Sequence, residues 1–425
     1  MTKDAAPAAA KSLVGGGSYL AVAMIVANAG NFVLNLFLGR VLTPAEFSDA
    51  NLMVTLSLTL TSIALGLQLV AARFVGTFDQ AGMPEKSNRL AGILRRYALA
   101  AGLVTGLALA LGSGFWAQLF HTASFWPFVI LGVGMPFYLM QSVGRGVMQG
   151  RLRFRELAAS YVVEMIVRLG GGIALVALGF GVNGATIGLS VSFIATSIAV
   201  RLLGRSPAGK VSPAVDLVEV RRYAALVSVL LLGQLLTNNS DVFAAKIFFE
   251  PAAAGVYAAI ALVGRAVFYL AWSVATVVFP VVARRHASGG DTGSLLRGGI
   301  IAVGAIGAVC SLGALLLGGP VLGVILGPAY SDLSVPLAAY AATTTLFAIA
   351  NLVASHELSQ GTNIQSRLLL GASVVQVALL LIWHDGTAQL IQAQFVAMVL
   401  LLGAMIVRGG IQKYRSRTPS ERRAS

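Results

Sequence analysis

Charge is scarce in this sequence. Only 11% of its 425 residues are Asp, Glu, Lys or Arg, against about 25% in a soluble domain, and so few charges cannot clothe a water-facing surface of this size. Cysteine is nearly absent as well: Cys310 alone excludes an intrachain disulfide and a cysteine metal cluster, and reads as a small buried side chain. No glycine loop ending in Lys-Ser or Lys-Thr is present, which excludes ATP hydrolysis within the chain. SHELSQ at 355–360 begins like a zinc-binding HExxH but has Gln360 where the second histidine belongs, so no metal and no other cofactor is expected. GLSVS at 188–192 lacks the closing glycine of a nucleophile elbow. The chain is not expected to be an enzyme.

Apolar sequence is abundant instead, at 57% of residues. A helix needs roughly 20 apolar residues to cross about 30 Å of hydrocarbon, and a lone span must satisfy its backbone hydrogen bonds internally. Apolar stretches between charged breaks give twelve candidate spans, at 13–38, 48–72, 97–118, 125–147, 157–178, 182–203, 223–249, 256–282, 298–317, 334–354, 368–383 and 388–407. The expected fold class is therefore all-α, a polytopic membrane protein of about 12 transmembrane helices. The first span is too long for a cleaved signal segment and reads as a retained helix. Between spans, the longest inner loop is expected around 73–96.

The net charge of +14 is distributed with a bias. Of 30 Lys and Arg, 26 lie in the N-terminus, the even-numbered loops with the helix ends adjoining them, and the C-terminus, and only Arg40 lies in an odd-numbered loop. That asymmetry is the positive-inside rule and predicts both termini in the cytoplasm, hence a multi-pass protein of the cell inner membrane. Trp116, Trp126 and Trp383 fall at the opposite ends of their helices, as interfacial aromatics do. The basic loops then act as topology signals in contact with membrane lipids, and nucleic acid is not an expected partner.

The two halves of the chain resemble each other. Pro44 in LTPAEFSDA aligns with Pro251 in FEPAAAGVYA at an offset of 207, and VAARF ending at Phe74 aligns with VVARR ending at Arg285 at 211. MQGRLRF (148–154) likewise meets SQGTNIQ (359–365) at 211. Near-constant offsets point to duplication, with residues 1–210 as an N-terminal six-helix lobe and 211–425 as a C-terminal six-helix lobe ending in a short basic tail. An even number of helices per lobe makes the repeats parallel, an arrangement that places a central cavity between them. Pro136 and Pro280 are expected to kink the fourth and eighth spans.

Polar residues within the spans form stripes. Gln234, Asn238 and Asp241 are spaced i, i+4, i+7 and share one helical face, and Asn28, Asn31 and Asn35 in the first span do the same at i, i+3, i+7. Two readings stand side by side: interhelical hydrogen bonding within the bundle, and a cavity lining, for which Asn31 and Asn238 are the first candidates. Asn239 and Ser240 point elsewhere and are assigned to neighbouring helices, and Lys246 to an anchor at the outer rim. Ionisable residues at mid-membrane cost about 2.5–3.5 kcal/mol each and need partners. These are Glu164 and Arg168, able to pair at i, i+4, with Asp241 and Arg265. Arg265 points to an internal anionic ligand, with pairing to Asp241 or Glu164 as the alternative.

LGRVLTPAEFSDA after the first span, MQGRLRFRELAAS entering the fifth, GFGVNGATIGL entering the sixth, and NNSDVFAAKIFFEPAAAGVYAAIALVGR across the seventh and eighth resemble the polysaccharide-transport, Wzx-like flippases of the multidrug/oligosaccharidyl-lipid/polysaccharide (MOP) exporter superfamily. The likeness runs over roughly residues 13–410. It implies a two-lobed transporter that flips polyprenyl-diphosphate-linked oligosaccharide units from the cytoplasmic to the outer face by alternating access, for O-antigen (lipopolysaccharide), capsule or exopolysaccharide assembly. Coupling to ion gradients is proposed for that family. The resemblance implies Arg265 and Arg168 as contacts for diphosphate or acidic sugar, and Asp241 and Glu164 as ion-coupling carboxylates. Glycan polymerase and glycosyltransferases of the same pathway are the implied partners. The alternatives are a drug or organic-cation exporter of the same superfamily, and a lipid-linked peptidoglycan-precursor flippase, which usually has two more helices. A membrane glycan polymerase would need a sizeable outer loop, and the outer loops here are short.

Overall fold

The computed structural model describes residues 5–204, 215–265, 268, 293–359 and 364–416. Among them there is no strand, and twelve long or medium helices follow the twelve expected spans in order. They are α1 (Ala5–Val41), α2 (Pro44–Gln80), α3 (Pro84–Leu111), α4 (Trp126–Gly150), α5 (Phe154–Leu175), α6 (Gly181–Leu203), α7 (Leu217–Phe248), α8 (Pro251–Gly264), α9 (Gly293–Ile325), α10 (Ser334–Ser359), α11 (Ile364–Ile382) and α12 (Thr387–Ser416). Nine continuous helical runs among the described residues are long and apolar enough to cross a membrane, and the 50-residue run Phe154–Leu203 among these comprises both α5 and α6. Large apolar side chains face outward along them, Leu111 at 83% and Val324 at 79% exposure, which suits lipid rather than water. The protein is an all-α, multi-pass membrane protein. The expected eighth span continues past Arg265 into residues outside those described, which also include Pro280, Arg284, Arg285 and Gln360.

One sequence expectation is corrected. The segment 73–96 is not a loop: α2 continues to Gln80 and α3 begins at Pro84, so three residues connect them. Arg, Lys and Glu are good helix formers, and beyond the hydrocarbon they carry the helix onward into the aqueous layer. Arg151, which follows the last residue of α4, fixes this extension in place. Its Nε donates to Asp79 Oδ2 at 2.9 Å and its guanidinium to Asn88 Oδ1 at 2.7 Å, joining the ends of α2, α3 and α4. At the opposite end of α2, Thr43 and Glu46 close a capping box, Thr43 Oγ1 accepting from the Glu46 amide at 3.3 Å and Glu46 Oε2 accepting from the Thr43 amide at 3.0 Å. Pro44 and Pro251 each stand at the first turn of a helix, where the missing amide hydrogen costs nothing.

The chain divides into two compact units, Met1–Ser228 and Val229–Ser425, with the boundary inside α7. In the first unit, α4 packs against α2, α3 and α6, and α5 against α1 and α6. Lipid offers no hydrophobic drive for helices to associate, so close backbone approach at small residues does the work. α3 and α4 meet backbone to backbone, Gly102 against Pro136 and Gly106 against Gly132. On its other face α4 sets Gly146 against the Gln68 carbonyl and Ala71 of α2. A side chain at Gly146 has backbone in its way, so Gly146→Leu must push α4 from α2. We expect that variant to lose at least about 2 kcal/mol through overpacking, read as a lower melting temperature of the purified protein and a smaller amount in the membrane. An unchanged melting temperature would refute this packing. α5 and α6 touch at Gly172 and Gly188. They are joined through a kink at Val176–Phe180, where Gly179 (φ 89°) and then Gly181 (φ 52°), the first residue of α6, take conformations that favour glycine.

Candidate functional site

The first unit holds a partly open pocket of about 180 Å³ with many polar residues in its lining. Four helices line it with polar residues three, four or seven apart: Asn28 and Asn31 on α1, Thr61 and Gln68 on α2, Tyr138, Gln141 and Arg145 on α4, Tyr161, Glu164 and Arg168 on α5. Residues at i, i+3 and i+7 fall on one helical face, so each of these helices turns a polar face to the pocket.

Glu164 sits at the centre of the charges. Arg145 approaches its Oε2 at 2.7 Å, Gln141 Nε2 donates to the same oxygen at 3.3 Å, and Arg168 pairs with Oε1. All three charged side chains are largely buried, at 7% (Arg145), 11% (Glu164) and 16% (Arg168) exposure. Arg145 is held further by Ser160, through Nε to the hydroxyl and a terminal nitrogen to the carbonyl, both at 3.0 Å, and lies over the Tyr161 ring. Arg168 donates to Asn31 Oδ1 at 3.1 Å and to Ser192 at 3.4 Å. Two guanidiniums on one carboxylate leave the pocket with one net positive charge. Gln68 donates to Gln149 and Tyr161, Thr61 bonds Tyr138, and the buried Gln141 Oε1 has no partner among the described residues. An uncompensated acceptor and surplus guanidinium donors suit a ligand that is anionic and carries hydroxyls.

The second unit handles its charges differently. Asp241 on α7 has 0% exposure and accepts from Arg265 (3.0 Å), Tyr257 (3.1 Å) and Tyr340 (2.8 Å). Arg265 also donates to the Tyr340 hydroxyl at 3.3 Å, and Gln394 Nε2 donates to Tyr257 at 2.8 Å. Asp241 thus connects α7, α8, α10 and α12. Nearby, Gln234 donates to Asn351 and Gln376 to Ser240.

Of the residues selected from sequence, Asn31, Glu164 and Arg168 come together in the first pocket, and Asp241 and Arg265 pair within the second unit. Asn238 turns back to the Gln234 carbonyl at 3.1 Å, and Asn239 bonds the Leu235 carbonyl in its own helix rather than a neighbouring one. Ser240 does bond across to α11. Lys246 is not a rim anchor: it is 2% exposed, buried among helices. Sequence reasoning passed over Arg145, Gln141, Tyr138, Gln68 and Tyr161. Arg145 stands near the basic end of its span, where an arginine reads as a topology signal, although its i, i+4 relation to Gln141 matches the polar stripes elsewhere. Among the described residues no group of three His, Cys, Asp or Glu side chains could hold a metal ion.

The fold is that of known transporters. The chain is similar to an inward-facing multidrug resistance MATE family transporter of the MOP superfamily, at 15% identity and a TM-score of 0.77, covering 95% of this chain and 100% of the other. The lipid II flippase MurJ, in an inward closed conformation, matches at 12% identity and a TM-score of 0.75, over 91% of this chain and 87% of that one. A MOP superfamily transporter from Pyrococcus furiosus, described as having a binding pocket of reversed polarity, matches at 16% identity and a TM-score of 0.61, over 94% and 95% of the two chains. No curated protein sequence matches. Residues 37–335 match the sequence profile described as polysaccharide biosynthesis protein. The chain belongs to the polysaccharide biosynthesis protein family, built on the fold of the MOP-superfamily transporters.

Proposed function

We propose that the protein is a flippase for polyprenyl-diphosphate-linked oligosaccharide units, working by alternating access from the cytoplasmic to the outer face of the cell inner membrane, with both termini cytoplasmic. The product supplies O-antigen, capsule or exopolysaccharide assembly. The observation that carries this reading is the first unit's pocket, where Arg145 and Arg168 share one carboxylate amid amides and hydroxyls. A diphosphate–sugar headgroup is costly to bring into hydrocarbon because its charges lose water. Paired guanidiniums replace that water with charge-assisted hydrogen bonds, and Asn28, Asn31 and Gln68 offer sugar hydroxyls the partners they give up. The prenyl chain remains in lipid throughout. The family membership and the flippase named among the similar structures support the same reading.

Within it, the diphosphate competes with Glu164 for both arginines. Glu164, released from them, is the carboxylate placed to take up a proton, which would link ion movement to substrate binding. Asp241 and Arg265, already satisfied by two tyrosines, hold the second unit's helices together.

The test is a proteoliposome assay with a fluorescent polyprenyl-diphosphate oligosaccharide. The purified protein is expected to expose the label to an external quencher, and Asn31→Ala, which removes a partner of Arg168, is expected to slow this about threefold, or roughly 0.6 kcal/mol. Transport of a fluorescent organic cation, with no movement of the lipid-linked sugar, would replace this reading with that of a cation exporter.

A further inference from the structure

We infer that the first unit carries a separate site for the phosphate of a membrane lipid, formed by Arg95 and Arg201 on the lipid-facing side of α4, outside the pocket. Its geometry follows from the packing of three helices. α3 and α4 run antiparallel with Gly102 against Pro136 and Gly106 against Gly132, and the same register sets Arg95 level with Val143 and Ala98 level with Met140. On the other side of α4, Gly144 meets Val200 of α6, so Arg201 emerges at the same height. The two arginines therefore flank α4. Arg201 reaches across it, its guanidinium 3.8 Å from Met140 Sδ, and so comes within about one helical turn of Arg95 along the axis.

Both arginines are exposed, and among the described residues neither has a carboxylate partner. Arg95 stands in the fields of two like charges, Arg201 and Arg151, of which Arg151 is already matched by Asp79. Converging cations repel, and an anion between them relieves this. Their height on the helix identifies which anion. The charged extension of α3 lies on one side of Arg95 and the apolar run from Leu99 to Leu111 on the other, with Tyr97 beside them 54% exposed, as an interfacial aromatic is. This is the boundary where lipid phosphates reside, and two guanidiniums in fork geometry suit a phosphate better than any other group there. The phosphate can come from a resident anionic phospholipid or from a lipid-linked phosphate. The inference does not depend on what the pocket transports.

The experiment uses the full chain in phosphatidylcholine nanodiscs, titrated separately with phosphatidylglycerol and with a polyprenyl monophosphate, and read by native mass spectrometry. R95A/R201A is expected to weaken binding about tenfold. M140E places a carboxylate between the guanidiniums as an internal occupant and is expected to do the same, so the result does not rest on one variant's folding. A loss confined to phosphatidylglycerol assigns the site to resident lipid, a loss confined to the polyprenyl phosphate assigns it to lipid-linked phosphate, and a loss of both shows headgroup recognition. Parental affinity for both lipids in R95A/R201A or in M140E overturns the site.

Discussion

Asp241→Ala is expected to remove most of the protein from the membrane. The carboxylate is wholly buried and is the acceptor for Arg265, Tyr257 and Tyr340. Its loss takes an ion-pair partner from one largely buried guanidinium and the acceptor from two tyrosine hydroxyls. Breaking a buried pair from one side costs about 3–5 kcal/mol, a large part of the 5–15 kcal/mol by which folded proteins are ordinarily stable. Fluorescence-detected size-exclusion chromatography should show a small, early-melting monodisperse peak. Asp241→Leu with Arg265→Met should recover much of the lost protein, since an apolar pair of similar volume leaves no orphaned charge. If Asp241→Ala accumulates and melts like the parent, the network is not what holds these four helices.

Arg145→Ala is expected to have the largest effect on transport with little effect on folding. Glu164 keeps Arg168 as its partner, so the truncation leaves no carboxylate unpaired, yet the pocket's surplus positive charge is gone. On the proposed function, losing a charge-assisted contact to phosphate of about 2 kcal/mol lowers the flipping rate roughly thirtyfold. Arg145→Lys should fall between the two, because an ammonium keeps the charge but cannot offer the planar fork that meets Ser160 and Glu164 together. Rates are measured in proteoliposomes at matched protein content. A parental rate for Arg145→Ala would place the substrate away from this pocket.

The twelve helices were legible because hydrocarbon imposes a length and a composition that few other environments do. The helical continuation through 73–96 was not, since Arg73, Asp79 and Lys86 mark the end of hydrocarbon but not the end of a helix. Glu164 and Arg168 could be paired from spacing alone. Tyr257, Tyr340 and Gln394 could not be assigned to Asp241: two of them lie on α10 and α12, and an unremarkable tyrosine in an apolar span gives no local sign of a partner on another helix. Arg265 shows the same limit. Its depth revealed that it needed a partner, and only the packing of α7, α8 and α10 decided that the partner is Asp241. Arg145 was obscured by its neighbours, as one arginine among several near the basic end of a span.

The odd number of charges in the pocket has an electrical meaning. On the proposed function, an empty site with Arg145, Glu164 and Arg168 carries one positive charge through the membrane field, and a site filled by a dianionic headgroup carries one negative charge as long as Glu164 stays ionised. Each elementary charge moved across that field changes the energy by about 2.3 kcal/mol per 100 mV. The same voltage therefore drives the loaded and the empty pocket in opposite directions. A negative interior favours sending the filled site outward and drawing the vacant one back, so the membrane potential alone can give the cycle a direction.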